Sequence, residues 1–175
     1  SVFNFEVKSS YSVRIRTTDD LGSFFDEIFI ISVTDVNEAP TDIALSNSTI
    51  AENQPVNTVV GTLSTTDPDA GETFTYSLVA GTGSADNGSF NILGNQLRSS
   101  EVFDVETKSS YSIRVRSSDG ALSFDEIFTI TVTFSNQPPT DIALSNSSVA
   151  ENAPVNTIVG TLTTTDPNSS DTHTY

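Results

Sequence analysis

Several side chains on which protein chemistry often depends are missing from this sequence. It contains no cysteine, methionine or tryptophan, and only one histidine, His173. Without cysteine there is no disulfide, thiolate nucleophile or soft-metal site. We interpret His173, in the segment DTHTY, as a solvated strand residue rather than a catalyst, and predict that the chain is not an enzyme. A small extracellular domain without disulfides often needs another source of stability, and a bound metal is the usual one.

Basic residues are also scarce. Seven lysines and arginines stand against 23 acids, so that the net charge is −16. This charge opposes binding to nucleic acid or to an anionic membrane. The acids are isolated or in spaced pairs, which is not the pattern of a disordered acidic tail. No apolar run approaches the ~20 residues of a membrane helix, so we expect no membrane insertion in this segment. No signal peptide is visible.

The chain repeats itself at a spacing of 99 residues. The segment TDVNEAPTDIALSNSTIAEN (34–53) returns as TFSNQPPTDIALSNSSVAEN (133–152), and Asp67 is matched by Asp166. Self-similarity at a fixed period indicates a tandem array. We therefore predict the second half of one repeat at 1–39, a complete repeat at 40–138 and the first half of a third at 139–175. The sequence is interpreted as a window cut from a longer array.

The apolar residues alternate with polar ones, as in YSIRVRSS (111–118). Period-two alternation of β-branched and aromatic residues predicts half-buried strands, and no helical periodicity extends beyond a turn. Seven short strands in about 100 residues suggest an all-β, immunoglobulin-like sandwich without the disulfide and tryptophan of true immunoglobulin domains. The predicted strands of the complete repeat lie near 43–45, 58–65, 73–79, 89–93, 96–99, 110–117 and 125–133.

Many acids recur in loops and in the linkers between repeats, where function concentrates. They are Glu52 in AEN, Asp67 and Asp69 in TDPDAG, Asp104 and Glu106 in FDVE, Asp119 in SSDG, and Asp35 and Glu38, with Asn37, in DVNEAP. Calcium takes roughly 6–8 oxygen ligands from flexible loops of this kind. DPDAG is also an ordinary turn sequence, and an EF-hand fits poorly because no helices flank it. We interpret Asp26-Glu27 and Asp125-Glu126 as solvated strand-edge charge.

Two other uses of these residues are possible on sequence grounds. Carboxylate pairs perform glycoside hydrolysis, but recurrence of the same acids in every repeat argues against that role. Sequons at Asn47, Asn87, Asn146 and Asn168 could carry glycans in a compatible host, although chance matches are expected in a sequence rich in Ser, Thr and Asn.

Taken together, AEN, TDPDAG, FDVE, SSDG and DVNEAP resemble the calcium-binding motifs of cadherin repeats, in the divergent form found in large repetitive bacterial surface proteins and adhesins. The linker is one residue shorter than is common in the family, and Glu38 stands where Asp is usual. The resemblance covers the whole chain. It implies Greek-key β-sandwich repeats of about 99 residues, joined end to end, with Ca²⁺ held at each junction.

The resemblance also assigns ligands. At the first junction it implies Asn4, Glu6, Asp35, Asn37, Glu38, Asp67, Asp69 and Asp119. At the second it implies Glu52, Asp104, Glu106, Asn136 and Asp166. The second junction has Phe134, Gln137 and Asn168 where the first has Asp35, Glu38 and Asp69. Because ligand charge tunes calcium affinity, we expect fewer or weaker ions there. Phe134 is expected to pack against the neighbouring domain.

Two functions are consistent with this sequence. One is a calcium-stiffened module of an extracellular cell-surface adhesin, acting as a stalk, spacer or adhesive contact. The other is a structural building block of a secreted filament, sheath or surface layer. The expected partners are calcium ions, neighbouring repeats, identical chains, and cell-surface glycans or proteins, with no nucleic acid.

Overall fold

The computed structural model describes residues 2–175, and the regular elements of this range are strands joined by turns and loops, with one short 3-10 turn at Asn87–Ser89. This confirms the predicted all-β fold. No part of the described chain, residues 2–175, forms an apolar helix of membrane-spanning length. The strands are β1 (Ser10–Thr18), β2 (Phe24–Ser32), β3 (Asp42–Leu45), β4 (Thr49–Ala51), β5 (Val59–Thr66), β6 (Thr75–Leu78), β7 (Phe90–Leu93), β8 (Gln96–Ser99), β9 (Ser110–Ser118), β10 (Ser123–Thr133), β11 (Asp141–Leu144) and β12 (Leu162–Thr165).

The segment 40–138 folds as a sandwich of two four-stranded sheets, β4-β10-β9-β6 and β3-β5-β8-β7. All neighbours pair antiparallel except β4, which lies parallel to the end of β10. β4 is absent from the strands predicted from the sequence. Its three residues are too few to show alternation, and the strand exists because a distant partner, β10, offers free hydrogen-bonding groups.

The core forms where the alternation predicts it. On β9, Tyr111, Ile113 and Val115 are at most 7% exposed, and they meet Ile130 of β10 at 0%. Phe90, Phe103 and Tyr111 form an aromatic cluster at one end of this core, with ring centroids 4.7–5.8 Å apart. The core lies between the sheets, so the loops at both ends of the sandwich face the linkers.

The flanking segments repeat parts of this sandwich. β1 and β2 form a hairpin like that of β9 and β10, and β11 pairs with β12 as β3 pairs with β5. Asn53 and Asn152 both have φ 60°, so equivalent backbone is locally alike. Residues 148–150 are not a strand, unlike β4, because in residues 2–175 no strand lies beside them.

The strand-edge acids are not simply solvated, contrary to the sequence interpretation. Asp125 accepts hydrogen bonds from Arg114 and Arg116, and Asp26 does the same with Arg14 and Arg16. Glu126 Oε2 accepts the backbone N–H of Ile43 at 2.9 Å and so ties β10 of one sheet to β3 of the other. Alternation alone gives no sign of these cross-strand and intersheet contacts.

Candidate metal centres at the two junctions

Two loops position the acids that face the first linker. After β5 ends, the N–H of Asp69 donates to Asp67 Oδ1 at 3.0 Å, which holds the two carboxylates side by side. After β9, Asp119 Oδ1 accepts the N–H groups of Leu122 and Ala121, both at 2.6 Å. These backbone donors lower the pKa of Asp119. Short Asx-type turns therefore fix both groups.

The first junction, defined by linker 35–40 and the loops facing it, is joined by two hydrogen bonds. The N–H of Glu38 donates to Asp69 Oδ2 at 2.7 Å, and Asn37 Nδ2 donates to Asp119 Oδ2 at 3.1 Å. Glu6, Asp35 and Asp69 bring carboxylate oxygens within 4.8 Å of one another. Glu6, Asp35 and Asp69 also line a cavity of ≈ 310 Å³. Acids from three separate segments thus converge at one point.

This arrangement fits a hard divalent cation. Asp67 Oδ2 and Asp69 Oδ1 are enclosed, and no donor among residues 2–175 reaches them. Enclosed carboxylate oxygens without donors are costly unless a cation satisfies them. Loss of hydration, followed by the charges of Glu6 and Asp69, raises the pKa of Glu38. Such clustering of negative charge favours Ca²⁺, which is bound by oxygen ligands.

Asn4 differs from the other expected ligands of this junction. Its Oδ1 accepts the N–H of Val7 at 2.7 Å and so caps a turn.

Glu72 is a residue of this junction that the sequence analysis does not predict. Loss of hydration, and then the charges of Asp119 and Asp67, raise the pKa of Glu72, which places it in the field of this junction. The signal for Glu72 was available, because an acid, Asp171, recurs 99 residues later.

At the second junction, linker 134–139, three of the expected acids come together. Glu52, Asp104 and Glu106 bring oxygens within 4.8 Å of one another. Glu52 is only 1% exposed, and its Oε2 accepts the N–H of Val105 at 3.0 Å. Hydrogen bonds from the Thr107 hydroxyl and from Glu106 lower the pKa of Asp104. These donors, Val105, Glu106 and Thr107, all lie in the loop that carries Asp104.

The remaining residues of this junction lie elsewhere. Asn136 is exposed, and Asp166 accepts a hydrogen bond from His173 at 3.0 Å, which lowers the pKa of Asp166. His173 lies outside the strands and its side chain is only 22% exposed, so its interpretation as a solvated strand residue is wrong. Phe134 is 53% exposed rather than packed against the next domain. Asn168, at 1% exposed, is among the most buried residues of the chain.

The fold of the chain is shared with known proteins. The cadherin domain family matches residues 46–135, just over half of the chain. The chain belongs to the cadherin domain family. Cadherin domains are repeats of extracellular, adhesion-type cell-surface proteins; they are adhesion modules rather than enzymes, and in general they bind Ca²⁺.

Individual cadherins resemble the chain over nearly all of its length. Human protocadherin Fat 4 is 27% identical over 180 residues, covering 96% of this chain and 4% of the relative. Rat protocadherin Fat 2 is 31% identical over 177 residues, covering 95% and 4%. The solved extracellular cadherin domains 1–4 of protocadherin gamma B7 match with a TM-score of 0.61 at 24% identity, covering 95% of this chain and 42% of that one.

These comparisons confirm the cadherin part of the sequence prediction. The chain spans a small fraction of the length of the curated relatives it matches. Those relatives are animal protocadherins, so they do not support the bacterial form of the repeat.

Proposed function

We propose that this chain is a calcium-stiffened segment of an extracellular adhesion protein, in which one complete repeat, 40–138, is flanked by parts of two others. The observation that carries the proposal is the pair of enclosed oxygens, Asp67 Oδ2 and Asp69 Oδ1, beside Glu6 and Asp35. A cation there would join the first linker to the partial repeat before it and to the complete repeat after it, and would fix the orientation of these two repeats relative to each other. The module would then serve as a stalk, spacer or adhesive contact on the cell surface.

The ligands of the first junction are proposed to be Glu6, Asp35, Asn37, Glu38, Asp67, Asp69 and Asp119, with Glu72 contributing charge close by. The acids Glu52, Asp104 and Glu106 are proposed to bind a further, weaker ion. The near identity of segments 40–53 and 139–152 suggests an array of many similar repeats. This near identity is the observation that still supports the proposal of a large repetitive surface protein of the bacterial type.

The proposal is tested by calcium titration of the 175-residue chain, with melting temperatures measured in calcium and in excess chelator. Binding to the folded state alone stabilises by mass action, so calcium should raise the melting temperature. Asp69→Asn should weaken the tightest calcium site by about tenfold or more, because ligand charge tunes affinity. Asp20→Asn makes the same charge change in an exposed hairpin loop and should leave binding unchanged.

Melting that is indifferent to chelator, or equal effects of the two substitutions, would refute the assignment. Sedimentation in calcium distinguishes the proposed stalk function from the filament function. A stalk segment stays monomeric, whereas the building block of a filament or surface layer associates with identical chains.

A further inference from the structure

The two junctions share the same backbone arrangement at equivalent positions. The linker N–H of Glu38 donates to Asp69 Oδ2 at 2.7 Å, and the linker N–H of Gln137 donates to Asn168 Oδ1 at 2.6 Å. The N–H of Asn168 also donates to Asp166 Oδ1 at 2.9 Å, as that of Asp69 does to Asp67. Asp69 Oδ2 and Asn168 Oδ1 therefore accept the equivalent linker N–H groups. The other terminal atoms of the two side chains are Asp69 Oδ1 and Asn168 Nδ2.

Asp69 Oδ1 and Asn168 Nδ2 differ in their hydrogen bonding. At the first junction, Asp69 Oδ1 has no hydrogen-bond donor within the described residues 2–175. At the second, Asn168 Nδ2 is itself a donor, to Glu52 Oε1 at 3.2 Å and to the carbonyl of Ser135 at 3.4 Å. One amide thus links the third repeat, the linker and the complete repeat.

The same contrast holds for the neighbouring acid. Asp67 Oδ2 likewise has no donor in the part of the chain that the structure describes, whereas Asp166 Oδ2 pairs with His173 Nε2 at 3.0 Å. Phe74 stands 99 residues before His173 and has no polar group to offer. At the second junction the atoms equivalent to these two free oxygens, Asn168 Nδ2 and Asp166 Oδ2, therefore both have side-chain partners.

The hydrogen bonds that Glu52 accepts leave little room for a metal ion at the second linker. Its Oε1 accepts both the N–H of Ser135 at 3.0 Å and Asn168 Nδ2, which uses both lone pairs of that oxygen. Glu52 and Asn168 are each 1% exposed, so water competes little for these bonds. A cation facing the linker would have to displace a buried amide. The residues present do not fit a bridging ion.

We infer that the second junction is closed by hydrogen bonds in place of a bridging metal. The closing group, here called the Asn168 clasp, consists of Asn168, Glu52, Ser135 and Gln137. Any ion held by Glu52 Oε2, Asp104 and Glu106 lies within one repeat and does not span the linker. The contrast with the first junction rests on the proposed calcium site there, but the clasp itself requires no metal. The array then contains one joint that responds to calcium and one that does not.

Backbone hydrogen exchange of the intact 175-residue chain, followed by NMR in calcium and in chelator, tests this inference. The amides of Gln137 and Ser135 report on the second junction, and that of Glu38 reports on the first. Local opening sets the exchange rate of each amide. Gln137 should exchange at rates within about twofold in the two conditions, whereas Glu38 should exchange about tenfold faster in chelator.

Asn168→Asp replaces the amide donor with a carboxylate beside Glu52. In chelator it should speed exchange of Gln137 by about tenfold or more, and calcium should restore protection. Asn168→Ala, which removes the donor without adding charge, should also speed exchange and serves if the first variant fails to fold. Asp69→Asn is the reciprocal control and should leave Gln137 unaffected.

The possible outcomes separate the two proposals. Calcium-dependent exchange of Gln137 in the parent chain would overturn the clasp, as would unchanged exchange of Gln137 in both Asn168 variants. If Glu38 is insensitive to calcium while Gln137 responds to the Asn168 substitutions, the clasp stands and the calcium site of the first junction fails.

Discussion

Asp125 shows how one carboxylate organises a strand surface. It accepts hydrogen bonds from Arg114 at 2.9 Å and from Arg116 at 2.6 and 2.9 Å. The two arginines lie on β9 and Asp125 on β10, so the group links the strands beyond their backbone ladder. The guanidinium of Arg116, together with that of Arg114, lowers the pKa of Asp125 to about 2.

This pKa predicts a specific dependence of stability on pH. The folded pKa lies below the ordinary value of 3.8, so the contribution of Asp125 is fully present above pH 4 and lost as pH falls towards 2. We expect about 1 kcal/mol after allowing for solvent around the arginines. Hydrogen exchange of the core amide of Ile113, measured from pH 5 to pH 2, should show a flatter decline in stability in Asp125→Asn. Asp20→Asn should follow the parent, and an equally steep decline in Asp125→Asn would contradict the prediction.

The sequence predicts the individual residues of the site only in part. The resemblance of its motifs to those of cadherin repeats assigns Glu6, Asp35 and Asp69 to one junction, and these three carboxylates do come together in the structure. It does not show which oxygens are left without donors. Asp69 and Asn168 have nearly the same shape, and their roles diverge through atoms of distant residues such as Glu52. That information depends on the folded arrangement.

Among the elements, β5 is constrained by the loop that precedes β4. Asn47 Nδ2 donates to the carbonyls of Val60 at 2.6 Å and Thr49 at 2.7 Å, and a Cβ added to Gly61 would lie 2.5 Å from Asn47 O. The register of β5 against β8 shifts at this position. Because the amide nitrogen of this sequon already makes two hydrogen bonds, it is unsuited to carry a glycan in the folded chain.

The tight approach of these two segments predicts the effect of an added methyl group. Gly61→Ala should destabilise the complete repeat by about 1–3 kcal/mol, because the backbone of Asn47 must move. Gly88→Ala is the matched control, since beyond its two chain neighbours no described atom lies within 4 Å of its added Cβ. Urea unfolding followed through the Ile113 amide measures both variants. Equal midpoints would show that the loop yields without cost.

The strands themselves are largely predictable, since alternation specifies β9 and β10 well. β4 is not, because a three-residue strand is defined by its partner rather than by its own pattern. The contacts of Glu126 and Asp125 are hidden for a similar reason: they depend on sheet register and intersheet packing.

For the molecule as a whole, the dominant physical property is a net charge of −16. Like charges gathered at the first junction repel one another when no cation is present, and salt screens such repulsion over about 10 Å at 0.1 M. In chelator, raising NaCl from 10 to 500 mM (about a sevenfold shorter screening length) should raise the melting temperature. Calcium added at constant ionic strength should raise it further, because ligation differs from screening. A melting temperature that falls with salt would contradict this account.

The parallel pairing of β4 with β10 bears on how tension passes through such a chain. Their ladder includes hydrogen bonds from Thr131 N to Ser48 O and from Glu52 N to Thr133 O, both 2.9 Å. Force on an extended array reaches β4 from its amino end and leaves β10 from its carboxyl end, so the two strands are drawn in opposite directions along their axes. The bonds between them are then sheared together rather than unzipped one at a time. The three residue pairs of β4 and β10, together with the β3–β5 pairs that precede them in the chain, would then resist extension before the core between the sheets is loaded.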